Sequence, residues 1–257
     1  MFLTDEQWSI IEPHLKIERK SVFGRPMADT RKIFEALLFV VHTGMQWEHL
    51  PRSFPPKSTV HDYLKRWCQR DRFRRLLAAL IRRLFEDGRV ELDQAFIEAT
   101  FAPARSGGNG VGLTRKGKGT KIQVVVDGSG LALDVSSAGA DTGKPQRVQQ
   151  TLDLFDEQTQ PPRLIGDKAY DSDLLDELLA ELGIERIAPH RRNRLPENRT
   201  QDGRALRRYK HRWIVERTLS WLGYHRRLLV RWERHGSLFM GFTLLGCMMI
   251  TLHRFAS

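Results

Sequence analysis

The spacing of apolar residues changes character once along the chain, at Gly88, and that change limits the folds open to it. Before Gly88 the spacing is helical. Thr4-Asp-Glu-Gln7 reads as a capping box opening a helix with Trp8, Ile11 and Leu15 on one face. A second helix is predicted from about Thr30 to His42, with Ile33, Leu37, Val40 and Val41 inward and Gly44 as its stop. Pro51, Pro55 and Pro56 exclude helix between it and a third, which Ser58 can cap and which holds Val60, Tyr63, Leu64 and Trp67. A fourth runs from about Arg72 to Glu86. The second and third resemble a helix-turn-helix pair. In that reading the third helix enters a DNA major groove and turns Lys57, Ser58, Thr59, His61, Lys65 and Arg66 towards it. A packing unit with solvated polar faces fits the same pattern.

After Gly88 the alternation has period two. Val90 to Ile97 reads as a strand, with Leu92 on one face and Asp93 on the other. A glycine-rich loop from Pro103 to Gly119 carries Arg105, Arg115, Lys116 and Lys118, and reads as a mobile basic loop able to contact phosphates. Lys121 to Val126 is a strand, Asp127-Gly-Ser-Gly130 a hairpin turn, and Leu131 to Val135 the return. A helix from Pro145 through Leu154, a short strand Arg163 to Gly166, a leucine-faced helix stopped by Gly183 and a strand Ile184 to Ala188 follow. A long helix from about Arg204 to Leu222 and a terminal helix from Leu238 to Arg254 complete the chain. Three strands in a meander, then two added by crossovers, form the topology of a ribonuclease-H-like fold. The expected class is therefore mixed α/β. Residues 1–88 are expected to form a small all-helical DNA-binding domain, and residues 89–257 a catalytic domain around a five-stranded mixed sheet.

The net charge of +11 and pI near 10 suggest an anionic partner, nucleic acid or acidic lipid. The excess is local: residues 186–234 hold 15 Lys/Arg against 4 Asp/Glu, an imbalance equal to the net charge of the entire chain. Cys68 and Cys247 have no partner spacing, which argues against a disulfide framework or zinc knuckle and for a reducing cytosol. The N-terminus lacks the apolar run of a signal peptide. The stretch Leu238 to Leu252 is broken by Gly241 and Gly246 and reads as a buried helix too short to span a bilayer.

Three carboxylates fall at matching places in this layout: Asp93 in the middle of the first strand, Asp167 at the end of the fourth, and Glu216 on the helix after the fifth. The first and fourth strands are neighbours in such a sheet, so Asp93 and Asp167 are expected side by side. Carboxylates brought together repel one another and favour a divalent cation, and oxygen-only ligands suit Mg²⁺ or Mn²⁺. Two such ions about 4 Å apart can activate an attacking oxygen and stabilise a leaving one. Each acid has a plainer reading: Asp93 as an exposed strand-face acid, Asp167 as a turn residue or the partner of Lys168, Glu216 as the i+4 partner of Arg212. Asp171 and Asp173 fit better as a cap and a first-turn acid, and Asp127 as a turn residue. His61, His190, His211 and His225 share no spacing and carry no assigned chemistry.

The ordered set of motifs resembles bacterial insertion-sequence transposases of the Asp-Asp-Glu (DDE) type, in the insertion sequence 5 group, over nearly the whole chain. The set comprises Gly24-Arg-Pro26, Gly44-Met-Gln-Trp47 with Leu50-Pro51, Ser58-Thr-Val60, Asp93-Gln-Ala-Phe96, Lys118-Gly-Thr-Lys121, Val126-Asp-Gly128, Ile165 to Asp173, Ala188 to Asn193, Tyr209 to Arg217 and Phe239 to Cys247. Tyr209, Arg212 and Glu216 match the family signature around its last acid. A Lys expected seven residues further on is Gly223, so that arm is either supplied by Arg226 or Arg227 or absent, and Gln94 stands where many relatives have a small residue.

The resemblance implies DNA cleavage at the ends of the element, leaving 3′-hydroxyls that attack target DNA. It implies two Mg²⁺ or Mn²⁺ ions, one shared by Asp93 and Asp167 and a second site completed by Glu216, with Arg212 and Tyr209 near the scissile phosphate. The cations Arg115, Lys116, Lys118, Lys121, Arg191, Arg192, Arg208, Arg226 and Arg227 are expected on double-stranded DNA, the terminal inverted repeats and the target. A homodimer on synapsed DNA and a bacterial cytoplasmic, nucleoid-associated location follow from the same resemblance. Another metal nuclease of this fold and a non-catalytic DNA binder are the alternatives.

Overall fold

A computed structural model of the chain describes residues 3–17, 26–142, 160–199 and 203–256. The helix expected over Pro145 to Leu154, and Gly24 and Arg25 of the first motif, lie outside the described residues.

Helix α1 (Asp5–Leu15) starts at the expected capping box: the Thr4 hydroxyl accepts from the Gln7 N–H at 3.1 Å, and Gln7 Oε1 accepts from the Thr4 N–H at 3.1 Å. Asp29 caps α2 (Thr30–Thr43), which stops at Gly44 in the left-handed region (φ 68°). Helix α3 (Lys57–Gln69) begins two residues earlier than a Ser58 cap implies. Pro56 holds the cap position, so Ser58 lies inside the first turn and does not cap. Helix α4 (Arg72–Glu86) buries Phe73, Leu76, Leu77, Leu80, Ile81 and Leu84 at helical spacing and leaves Arg75, Arg82 and Arg83 outside.

The described sheet contains β1 (Ala95–Pro103), β2 (Gly112–Thr114), β3 (Gly117–Val126), β4 (Ala132–Gly139), β5 (Arg163–Ile165) and β6 (Glu185–Ile187). Its lateral order is β4-β3-β1-β5-β6. The pairs β1/β3 and β3/β4 are antiparallel, and β1/β5 and β5/β6 parallel. This is the expected mixed sheet with one strand more. Part of the basic glycine-rich loop is the hairpin of β2 onto the start of β3, closed through Gly117 at φ 93°.

The first strand begins at Ala95 rather than Val90. The Glu91 N–H donates to Asp127 Oδ2 at 2.9 Å, and Gly128 N–H donates to the Glu91 carbonyl at 2.9 Å. These bonds fasten residues 90–94 to the β3–β4 turn, off the sheet ladder. Asp127 is the turn residue expected of it: its carboxylate also accepts from Ser129 N–H at 3.0 Å and Leu131 N–H at 2.7 Å.

Beyond β5 come α5 (Asp173–Glu181), then after β6 α6 (Gly203–Leu206), a 3₁₀ stretch Arg207–Arg212, α7 (Trp213–Gly223), α8 (Arg226–Leu229) and α9 (Gly236–His253). The single helix expected over 204–222 is thus three consecutive pieces. Helix α9 packs against α2, α3, α4 and β4. Its 18 residues, with mean hydropathy 1.5, are long and apolar enough to cross a membrane, contrary to the expectation from the sequence; 78% of it is buried inside the protein, which makes it the axis of the core. A Cβ on Gly241 would stand 2.5 Å from Cys68 Sγ, so α9 and α3 approach as closely as only glycine allows. Buried side chains run without a break from Ile11, Phe34 and Trp67 through Phe239 and Phe242 to Val135, Val124 and Ile165. The helical unit and the sheet share one core, with no gap in packing at residue 88.

Candidate active site

The parallel pairing of β1 with β5 sets Ala95 opposite Leu164 and Phe96 opposite Ile165. Continued two residues past the last pair, that register puts Glu98 level with Asp167, which lies just beyond the end of β5. Both line one groove of about 540 Å³, together with Ala99, Thr100, Phe101, Thr114, Arg115, Lys116 and Lys121. Gly166 delivers Asp167 there; a Cβ at Gly166 would press on the Tyr170 ring at 2.8 Å and on Ile97 at 3.1 Å. Asp167 Oδ1 accepts from the Ala169 N–H at 2.9 Å and caps the 3₁₀ turn Lys168–Tyr170.

The third carboxylate arrives from the helical side. Glu216 lies in the first turn of α7, where the helix dipole favours an acid, with its side chain 49% exposed. Arg212, the last residue of the 3₁₀ stretch, reaches both walls. Its Nη1 donates to Glu98 Oε2, from a residue 114 positions away, and its Nη2 pairs with Glu216 Oε1 at 2.5 Å. Three residues per 3₁₀ turn stack Tyr209 directly over Arg212, whose guanidinium sits 5.4 Å from the Tyr209 ring centroid. The expected Tyr209, Arg212 and Glu216 face therefore exists, through an eclipsed 3₁₀ pair rather than one continuous helix.

Asp93 is not part of this group. It is exposed in the turn ahead of β1, where its carbonyl accepts from Arg163 Nη1 at 3.3 Å. By the β1/β5 register it stands level with residue 162, on the order of 15 Å along the strands from Asp167. Glu98, not singled out in the sequence, is the carboxylate that lines the groove with Asp167. Its signal was present in the alternation of Phe96, Glu98 and Thr100, with an acid in the middle of an otherwise uncharged strand.

Asp171 does not cap α5 either. It is buried, and its carboxylate accepts from Arg191 N–H at 2.8 Å, Arg194 Nη1 at 2.9 Å and His190 Nδ1 at 3.1 Å, with Arg186 at 3.5 Å. Burial alone would raise its pKa, but these donors and cations outweigh it and hold the carboxyl below the usual range. The hub fixes the chain after β6 against the turn that carries Asp167. Arg191 adds two bonds to that turn, to the carbonyls of Lys168 at 3.2 Å and Ala169 at 3.0 Å. Arg231, 1% exposed, holds the loop before β2 through the carbonyls of Gly110 at 2.7 Å and Asn109 at 2.5 Å and the Thr120 hydroxyl at 2.6 Å.

The cations expected on DNA divide by environment. Arg115, Lys116 and Lys121 line the carboxylate groove, with Lys118 exposed beside them. Arg192, Arg208 and Arg226 are exposed, as are Lys65 and Arg66 on α3, with Arg66 over the Tyr63 ring. Lys57 and Ser58 are exposed too, Lys57 paired with Glu48. Thr59 is partly buried, and His61 packs edge-on against Trp47. Burial lowers the His61 pKa, with Lys65 adding to it. Arg227 is buried: it pairs with Glu233 at 2.6 Å, donates to the Met45 carbonyl and lies over Phe242. Buried and paired in this way, it is not available to replace the Lys missing at Gly223. A Cβ at Gly223 would meet nothing within 4 Å, so the glycine is not demanded by packing.

Residues 89–252 match the family model described as "Transposase DDE domain". The chain belongs to the DDE transposase family. Residues 3–77 match a further family model, for a transposase of the IS4/5 family. Two proteins of Burkholderia cepacia are similar. One, named as a transposase for insertion sequence element IS402, is 34% identical over 143 residues, 51% of this chain and 62% of that one. The other, the "Insertion element IS402 uncharacterized 16.2 kDa protein", is 28% identical over 117 residues, 44% of this chain and 80% of the relative. The match thus spans less than two thirds of the first relative. Among solved structures, a piggyBac transposase in a synaptic complex with hairpin DNA superposes over 98% of this chain and 72% of that chain, at a TM-score of 0.54 and 13% identity. That likeness concerns the fold, which is ribonuclease-H-like with helices ahead of the sheet.

A DDE family implies a divalent metal ion. Glu98, Asp167 and Glu216 are the oxygen donors of the kind such an ion takes, from three separate elements. Among the described residues no three His, Cys, Asp or Glu are close enough to hold a metal by themselves, and Arg212 stands between two of the acids.

Proposed function

We propose that the protein is a transposase that binds the terminal inverted repeats of an insertion sequence, cuts DNA there and joins the freed ends to target DNA. The observation that carries this reading is a groove lined by Glu98 and Asp167 and walled by Arg115, Lys116 and Lys121, with Arg212 tying Glu216 to Glu98 beside it. Acids alone could be a structural ion-pair network; acids set inside a cationic groove match a phosphodiester, whose charge needs cations and whose cleavage needs metal ligands.

In this reading Glu98, Asp167 and Glu216 hold Mg²⁺ or Mn²⁺, two ions in the working complex. When bound, such ions lower the pKa of an attacking water and stabilise the leaving oxygen. Arg115, Lys116 and Lys121 position the phosphates flanking the scissile bond. The Asp171 hub and Arg191 keep the Asp167 turn rigid, so that its carboxylate is already in place. The N-terminal helices read the repeats with exposed residues of α3, chiefly Lys65 and Arg66. Two copies act together on synapsed ends. Bacterial relatives support a cytoplasmic site of action, and in this reading the protein works on the nucleoid.

The test is a labelled duplex carrying one repeat end, incubated with protein and Mg²⁺. Release of a 3′-hydroxyl at the repeat boundary is expected. Asp167→Asn and Glu216→Gln should each lower cleavage by at least about 10³-fold, as loss of a principal electrostatic group does, while leaving DNA binding within a few-fold. Undiminished cleavage in either variant removes that residue from the mechanism.

A further inference from the structure

Where the ends of α2, α7 and α9 meet, the surface folds into a recess of about 400 Å³ whose lining is mostly apolar and aromatic. Trp221 and Ile250 are half-buried in it, His225 is buried, and Tyr224 is 70% exposed at its rim. At 3.6 residues per turn, Trp221 lies about 140° round α7 from Glu216, so the recess and the cationic groove use different faces of that helix. The Trp221 indole is held by the Arg217 guanidinium, 4.8 Å from its ring centroid.

Protein interiors leave few voids larger than a water molecule. A mostly apolar recess of this size with a few polar groups is the form that small-molecule sites take. Burial lowers the His225 pKa to about 4, with His42 and His253 adding to it, so the imidazole is neutral at pH 7. The His42 ring meets it edge-on, centroids 5.8 Å apart. Its Nδ1 is buried and has no hydrogen-bond partner, so no contact among the described residues uses that nitrogen. The fixed charge of the lining is Arg254, whose Nη2 donates to the Ser129 carbonyl at 3.1 Å and to Ser129 Oγ at 3.3 Å. No Asp or Glu is among the described lining residues. Flat rings pack well on Trp and Tyr, and a guanidinium beside apolar walls favours an anionic group on the same ligand. The volume is at the low end for ligand sites, which suits one or two fused rings.

We propose that this recess binds a small planar aromatic anion, a one- or two-ring body carrying a carboxylate or a phosphate. The ring packs against Trp221, Tyr224 and Ile250, and the anionic group faces Arg254. A nucleoside monophosphate and an aromatic carboxylic acid share this chemistry. Occupied, the site ties α2 and α9 to the helix that carries Glu216 without entering the groove, and it is independent of what the groove binds.

The experiment measures binding of indoleacetate and of adenosine monophosphate to the full chain by equilibrium dialysis, with indole as the uncharged comparison. At least one of the two anions should bind with a Kd on the order of 100 µM, a strength within reach of ligands this small. Which of them binds distinguishes an aromatic-acid site from a nucleotide site. Indole should bind about tenfold more weakly than indoleacetate, for want of the charge-assisted contact. Tyr224→Ala removes an exposed ring and should weaken binding several-fold. Ile250→Trp fills the recess and should abolish it, with circular dichroism establishing that each variant is folded. Should Ile250→Trp fail to fold, Arg254→Gln serves in its place, and should weaken the anions while leaving indole unchanged. Failure of both anions to bind at about 1 mM overturns the site. So does binding that is undiminished in Tyr224→Ala and in the second variant, since the ligand then sits elsewhere. Indole binding as tightly as indoleacetate overturns the anionic class.

Discussion

At the scale of single residues, the chain distinguishes acids that hold the structure from acids free to do chemistry. Asp171 is the clearest of the first kind, buried among Arg186, His190, Arg194 and the Arg191 N–H. Asp171→Asn leaves that cationic cluster without its counter-charge, and should cost roughly 3–5 kcal/mol of stability at pH 7 by denaturant unfolding. The folded carboxyl has a pKa below 3.8, so its contribution is complete above that range and disappears as pH falls through the lowered value. The gap between parent and variant should therefore shrink in acid. Glu98 shows why the site was only partly legible. Asp167 and Glu216 could be placed from the sequence because each follows a well-punctuated element. The first acid depended on where β1 begins, and Val90 to Gln94 alternates as a strand does while being tied by Asp127 to a distant turn. A local pattern cannot reveal that long-range bond, and a strand start misplaced by five residues puts Asp93 at mid-strand when it lies in the turn ahead of β1.

At the scale of elements, α4 meets β4 through a buried pair. Arg74 Nη1 donates to Asp134 Oδ1 at 2.7 Å, while Asp134 Oδ2 has no partner. Burial pushes the Asp134 carboxyl up to about 7, against the pull of Arg74. Between about pH 4 and 7 the folded protein thus holds a proton that the unfolded chain has given up, so this pair makes stability fall as pH rises across that window. Asp134→Asn should flatten the dependence in thermal unfolding followed from pH 5 to 7.5; an unchanged slope would assign it to other groups. The α6–α7 segment was legible in its contents and not in its form, since Tyr209 and Arg212 are three apart in any helix and only the 3₁₀ turn eclipses them. At the end of α7, open space around Gly223 means that Gly223→Lys should be accepted. It should gain up to about 1 kcal/mol from helix propensity and tighten DNA binding by adding a cation at the family position.

At the scale of the whole molecule, α9 decides how the chain behaves. The sequence marks residue 88 as a boundary because the periodicity changes there. Packing continues across it, because α9 fills the space between α2, α3, α4 and β4 with Phe239, Phe242 and Leu245 fully buried. A change of secondary structure is visible locally, whereas a shared core depends on a helix that arrives last in the chain. Residues 1–88 alone should fail to give a cooperative unfolding transition, and Phe242→Ala in the full chain should cost roughly 3–5 kcal/mol in one transition spanning both halves. The most direct measurement of the central claim compares two variants in Mg²⁺-dependent cleavage of a labelled repeat end. Because Glu98 and not Asp93 faces Asp167, Glu98→Gln should abolish cleavage and Asp93→Asn should leave it near the parent rate; the reverse result would contradict the site as built here.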